Sequence, residues 1–393
     1  MNTKKFRTRT EILNRNNGKH PGIWDIAIDL GYSGVKLISP NKVACFPSYA
    51  VRIDEEIQYL SGAPESSIMY RNNKTNELWL VGEFAQNQMM ITSSDESERS
   101  MYGRDRYGEP MFNVVTATGF GIALMENEYG SPNTDTLVVQ TGLPEGYLED
   151  TPLLKGSMAG HYDFSLKVGN KPWIDFNFDV NADNVYVMSQ PKGSLFSVCI
   201  KNDGNMHEDV NKYLSSNVII FDPGFGTYDL FIINNGAVVK GDTTQNLGMR
   251  RVFHETSQLI KEKYGVQIPV PAMQKYLETG KVRSIDRNTL KTEEYDFEEL
   301  LQMTSAKVCD EAISRMFKAV GGIEQIIDYN YLIITGGTGS AWLSIIREKL
   351  KNISTLNIIP ANQNDGSLAL LYSNVRGYRY YRFTKLAKEV KAA

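Results

Sequence analysis

The chain has 393 residues, 41% of them hydrophobic and 22% charged. That is enough for two ordinary domains or one two-lobed fold, and it excludes a small stapled scaffold, a disordered chain and a fibrous repeat. The 42 basic and 46 acidic residues leave a formal charge of −4, so no overall electrostatic pull toward nucleic acid exists and no direct nucleic-acid contact is expected.

Cys45, Cys199 and Cys309 are odd in number and far apart, which reads as three core thiols in a reducing compartment. The four histidines, His20, His161, His207 and His254, share no metal-ligand spacing. No apolar run reaches the length of a membrane span, and the first residues lack a signal-peptide core. A cytoplasmic protein without a membrane partner is therefore expected.

In chain order, residues 1–22 carry Lys4, Lys5, Arg7, Arg9, Arg15 and Lys19 against Glu11, and predict a flexible basic arm. From Trp24 the run WDIAIDLGYSGVKLIS reads as strand, tight turn and strand. Ile26 and Ile28 lead in, Gly31 and Gly34 permit the bend, and Val35, Leu37 and Ile38 lead out. About half the chain later, SNVIIFDPGFGTYDLFIINNGAV repeats the construction, with Val218 to Phe221 entering and Leu230 to Ile233 leaving. Aligning Asp29 with Asp222 also aligns Gly31 with Gly224 and Tyr32 with Phe225. An internal duplication follows, each copy opening one lobe of an α/β protein.

Residues 266–300 read as a polar, charged insertion. The segment TSAKVCDEAISRMFKAV sets Ile313, Met316, Phe317 and Val320 on one face and predicts an amphipathic helix. The strand YLIIT, a glycine loop from Gly336 to Ser340, and a helix with Leu343, Ile346 and Leu350 on one face come next. The end of the chain, RGYRYYRFTKLAKEVK, predicts a last helix docked through Phe383, Leu386, Ala387 and Val390, its lysines in solvent.

A tight turn between two strands, stripped of side-chain cover by glycine, exposes backbone N–H groups as an anion nest, and two such turns suit a phosphate chain. Each begins with a carboxylate, Asp29 or Asp222, the donor type that holds Mg²⁺ alongside phosphates and water. Lys36, seven residues after Asp29, can return a point charge to the phosphates.

The segments IDLGYSGVK, IIFDPGFGTYD and ITGGTGS, in that order, resemble the first phosphate, second phosphate and adenosine motifs of the actin and sugar-kinase superfamily of ATPases. Within it the chain most resembles bacterial actin-like proteins of the ParM type, which segregate plasmids. VVQTGLPEGYLED and NQNDGSLALLYSN are similar to the strand-and-turn and the closing helix of that group.

The resemblance implies an α/β, actin-like fold. Two lobes would each rest on a ribonuclease-H-like mixed sheet, with the nucleotide in the cleft between them. The first lobe is expected over 23–205, completed by 366–393, and the second over 206–365. Asp29 and Asp222 would hold Mg²⁺ through water. Gly31, Tyr32, Ser33, Gly34, Gly224, Phe225, Gly226 and Thr227 would wrap the phosphates, with Lys36 touching them, and Gly336, Gly337 and Thr338 would pack on the nucleoside. Gln190, in VYVMSQPKGSL, would position the attacking water where ParM-type proteins tend to carry Glu and actin carries Gln; Glu145 and Glu149 are the fallback candidates.

The function implied is an ATPase, or GTPase, that closes on Mg²⁺-nucleotide and assembles head to tail into helical filaments. It would move plasmid or other DNA through a DNA-binding adaptor seated on a centromere-like site. The alternatives are a small-molecule kinase, which needs an acceptor pocket and a base not identifiable here, and a membrane-associated actin-like protein, which rests on the basic tail alone. A chaperone-type ATPase would need a further β-rich domain.

Overall fold

The computed structural model describes residues 3–92, 103–133 and 135–392. By its contacts the chain divides into two compact units, one of residues 9–211 and 361–393 and the other of residues 1–8 and 212–360.

The first unit rests on a six-stranded mixed sheet in the order β1-β4-β3-β2-β8-β11. Its strands are β1 (Glu11–Asn14), β2 (Ile23–Leu30), β3 (Gly34–Ser39), β4 (Lys42–Pro47), β8 (Thr136–Leu143) and β11 (Val185–Ser189). Beside it lies a five-stranded antiparallel sheet, ordered β10-β9-β6-β7-β5, from β5 (Ala50–Ile53), β6 (Ile68–Asn72), β7 (Leu78–Val81), β9 (Gly160–Val168) and β10 (Ile174–Val180).

The apolar run of β2 is buried on both faces because both are covered, as a parallel neighbour demands. Trp24, Ile26, Ile28 and Leu30 join one core with Phe112, Val115 and Phe120 of helix α1 (Pro110–Leu124). Ala27, between them, joins another with Tyr372, Val375 and Tyr378 near the chain end. Helix α1 is held between the two sheets: a Cβ on Gly119 would lie 2.7 Å from Ile28 of β2, and one on Gly121 2.5 Å from Leu166 of β9.

The second unit rests on a five-stranded sheet in the order β14-β13-β12-β17-β18. It comprises β12 (Val218–Pro223), β13 (Thr227–Asn234), β14 (Ala237–Gln245), β17 (Tyr331–Ile334) and β18 (Asn357–Pro360). The polar 266–300 stretch contains a separate hairpin, β15 (Lys281–Ile285) with β16 (Thr292–Asp296).

Without β1, the two main sheets share one plan: two antiparallel pairings followed by two parallel ones. Even the hairpin register repeats, Asp29 opposite Lys36 and Asp222 opposite Asp229. The duplication read from the motifs thus extends to whole sheets.

Residues 3–22 correct the expected flexible arm. Phe6 is buried, Thr3 Oγ1 donates to Leu277 O at 2.8 Å, and β1 pairs antiparallel with β4. Several of the basic residues that suggested an arm find carboxylates remote in sequence: Lys4 reaches Glu278 at 2.9 Å, Arg15 Asp365 and Lys19 Asp135 both at 2.5 Å. Residues 1 and 2 lie outside the described residues. The unit boundaries accordingly fall at 8/9, 211/212 and 360/361 rather than at 22/23, 205/206 and 365/366.

The last helix also departs from expectation. Lys385 and Lys388 are exposed and Leu386 is buried, but Arg376, Arg379 and Arg382, counted in the basic tail, are buried too. Arg376 donates to Ile200 O at 3.0 Å and Asn202 Oδ1 at 2.7 Å, Arg379 pairs with Asp25, and Arg382 lies over the Tyr186 ring and donates to Gln140 Oε1 at 3.2 Å. The side chains of Val390 and Lys391 lie outside the described residues.

Candidate functional site

Each unit carries one of the two glycine turns at the end of its central strand. In the first, Asp29 is the penultimate residue of β2 and is 5% exposed. Its Oδ2 accepts from Lys36 Nζ at 3.1 Å and its Oδ1 from Gln190 Nε2 at 3.2 Å. Gln190 opens helix α2 (Gln190–Cys199) immediately after β11, so a strand two places away in the sheet delivers it to Asp29. Gly31 is required at the bend: a Cβ there would lie 2.7 Å from Lys36 Nζ and 2.9 Å from Gly34 O.

The turn's carbonyls are tied down. Arg106 donates to Leu30 O at 2.7 Å, Ser48 Oγ to Gly31 O at 2.7 Å, and the Ser48 N–H to Ser33 O at 3.3 Å. In a trans peptide the C=O and the N–H point opposite ways. Holding the carbonyls of Leu30 and Gly31 therefore turns the N–H groups of Gly31 and Tyr32 in the other direction.

The second turn is organised alike with different donors. Gly224 O accepts from the Met249 N–H at 3.2 Å, Phe225 O from the Arg250 N–H at 2.9 Å, and Gly226 O from the Asn246 N–H at 3.1 Å. Met249 and Arg250 begin helix α3 (Met249–Tyr264). Gly248, just before it, approaches so closely that a Cβ would sit 2.4 Å from Gly224 O and 2.8 Å from Phe225 O. Asp222 is 4% exposed at the end of β12, and Thr227 begins β13 with its Oγ1 3.2 Å from Asp229 Oδ2.

Gly336, Gly337 and Thr338 form the first turn of helix α5 (Gly336–Leu350) rather than a separate loop, since the chain enters the helix directly from β17. Helix α4 (Glu298–Ala319), predicted from its periodicity, packs beside it, with Trp342 Nε1 donating to Ser305 Oγ at 3.1 Å. Gly336 has φ +76°, and a Cβ there would meet Asp222 Oδ1 at 3.0 Å. Thr338 Oγ1 donates to Gly224 O at 2.8 Å. Parallel pairing of β12 with β17 thus places the two glycine segments of the second unit side by side.

The fallback carboxylates separate. Glu149 accepts from Arg104 at 2.6 Å, whereas Glu145 has an enclosed Oε2 that accepts no hydrogen bond among the described residues. The three cysteines are buried and free, and burial pushes Cys45 up to about 11 and Cys199 and Cys309 to about 12, so none is a nucleophile at neutral pH. Ser48, Arg106 and Gly248 were not singled out by the sequence; Gly248 alone had a signal, a glycine just ahead of a helical pattern.

Residues 27–193 match the family model for the N-terminal domain of actin-like proteins. Solved structures extend the likeness to nearly the whole chain. A non-polymerisable quadruple mutant of pCBH ParM matches at TM-score 0.69 and 20% identity, covering 93% of this chain and 99% of its own. The chain has an actin-like fold. A 15-stranded ParM filament from Clostridium botulinum matches this actin-like chain at TM-score 0.68 and 20% identity, with the same coverage. An archaeal actin homolog in complex with ADP matches at 0.61 and 16%, covering 92% of this chain and 99% of that one. A comparison with curated protein sequences gave no match. The expected resemblance to ParM-type proteins is met at the level of fold, and no helix among the described residues is long and apolar enough to cross a membrane.

Proposed function

We propose that this actin-like protein binds and hydrolyses ATP, or GTP, with Mg²⁺ and uses the nucleotide to control its own head-to-tail assembly into filaments in the cytoplasm. One observation carries the reading: two hairpins of identical register, each with a nearly buried aspartate at the strand end and its turn carbonyls tied to the body. This is a cradle for phosphate oxygens, built twice. An actin-like fold alone would not fix a function.

The residues fit Mg²⁺. Asp29 has each carboxylate oxygen engaged by a neighbour, Lys36 or Gln190, which leaves it suited to hold a hydrated ion through water rather than directly. Asp222 would do the same from the second turn. The ion would neutralise charge on the phosphate oxygens. Lys36 supplies a further fixed positive charge, and Gln190, anchored on Asp29, orients the attacking water. An amide suffices for that where the transition state is loose and little base strength is needed.

Head-to-tail stacking is a heterologous contact that extends instead of closing, so it produces a helical polymer. Plasmid or other DNA would then be reached through a DNA-binding adaptor, consistent with the formal charge of −4. Right-angle light scattering of the purified protein with Mg-ATP tests the proposal. A rise that later decays in the wild type, and is lost in Asp222→Ala, is expected. A flat wild-type trace with intact nucleotide binding would overturn the filament reading and favour a small-molecule kinase.

A further inference from the structure

Arg106 is not part of the glycine motifs, yet it grips the first turn twice. It donates from Nη2 to Leu30 O at 2.7 Å, and its guanidinium carbon stands 4.4 Å from the centroid of the Tyr32 ring. The same guanidinium carbon lies 5.6 Å from the Tyr107 ring centroid and 5.3 Å from that of Phe112, so three aromatic rings surround it. Phe112 belongs to helix α1, whose Gly119 abuts Ile28 of the strand that leads into the turn. Arg106 therefore ties the turn to a helix that is itself locked to β2.

We propose that Arg106 is a positioning residue for nucleotide binding: it sets the orientation of the Leu30–Gly31 peptide and the Tyr32 ring, and thereby aims the first turn at the phosphates. This rests on the nucleotide-binding reading above. Its reach is through the turn: Nη2 is committed to Leu30 O, and the buried Nε meets no hydrogen-bond partner among the described residues. Lysine is not equivalent at such a place. It keeps one donor for Leu30 O but loses the planar stack on Tyr32.

The test compares wild type, Arg106→Ala, Arg106→Lys and Ser48→Ala by titration with Mg-ATP and, in competition, with adenosine. Thermal unfolding without nucleotide is measured alongside. Arg106→Ala is expected to weaken Mg-ATP binding about tenfold, with Arg106→Lys recovering about a third of that loss. Adenosine affinity and the nucleotide-free melting temperature should change little. Ser48→Ala, which frees Gly31 O, should move the same ratio in the same direction. Equal loss for adenosine and ATP would make Arg106 a structural residue and overturn the proposal. Unchanged Mg-ATP binding in Arg106→Ala would overturn it too, while leaving the functional reading intact. A wild type that binds no Mg-ATP would overturn both.

Discussion

Lys36 stands 3.1 Å from Asp29 across the first hairpin, at the place where the second hairpin sets Asp229 opposite Asp222. Two copies of one plan have diverged in charge at this register position. One presents an ammonium, the other a carboxylate that Thr227 and Thr243 hold through their hydroxyls. The first turn is thereby the more positive of the two.

Lys36→Met should consequently lower affinity for Mg-ATP by about tenfold, since a charge-assisted contact to phosphate is removed and Asp29 loses a partner. Adenosine, without phosphate, should be unaffected. Titration of both ligands checks this, and equal losses would count against a phosphate role.

Gln190 touches Asp29 and opens helix α2, so its amide can be altered without emptying a core. Gln190→Ala should slow phosphate release on the order of 10²-fold with nucleotide affinity retained. Gln190→Glu should also slow it, because a carboxylate cannot donate to Asp29 Oδ1 and is repelled by it. Single-turnover phosphate release separates the two from a binding defect.

Lys42 is buried, and burial brings its ammonium down to about 8. Between pH 8 and the unfolded value of 10.5 the unfolded chain holds the extra proton, so this group's contribution to stability climbs with pH across that window. Below it the buried charge is a penalty. Lys42→Met should be more stable than wild type at pH 7, with the difference shrinking by pH 10. The carbonyl it leaves, Met125 O, keeps the Asn41 Nδ2 donor at 3.0 Å. Melting temperatures at the two pH values decide it.

Helix α6 (Ser373–Ala392) crosses α2 at a pair of glycines: a Cβ on Gly377 would lie 1.7 Å from Gly193 O. Gly377→Ala must push the helices apart and should cost about 3 kcal/mol, read as a fall in melting temperature. Gly366→Ala, where a Cβ meets nothing within 4 Å, is the control.

What was legible in the sequence was local. A hairpin announces itself through alternating apolar residues and a glycine bend, and its repetition half a chain later announced the duplication. The places of Asp29, Gly31, Lys36, Asp222, Gly224 and Gly336 at strand ends and turns were readable because they follow from neighbours a few residues away. The buried arginines of α6 were not readable as core. Their partners, Asp25, Ser197, Ile200 and Gln140, come from strands and loops far upstream. By composition RGYRYYR opens a docked helix, and nothing in it shows that its arginines are the buried side.

By itself, then, the sequence determined the two turns, their order and the α/β plan they open, because strand period and glycine geometry act over a handful of residues. Only the tertiary structure decided what holds those turns in shape. It brought Arg106 and Ser48 to one, and Gly248, Thr338 and the start of α3 to the other. It also anchored the basic N-terminal segment, through buried Thr3, Phe6 and Asn17 and the pairing of β1 with β4. Each of these depends on pairing between distant segments, and a carbonyl gives no sign in sequence of which remote donor will satisfy it.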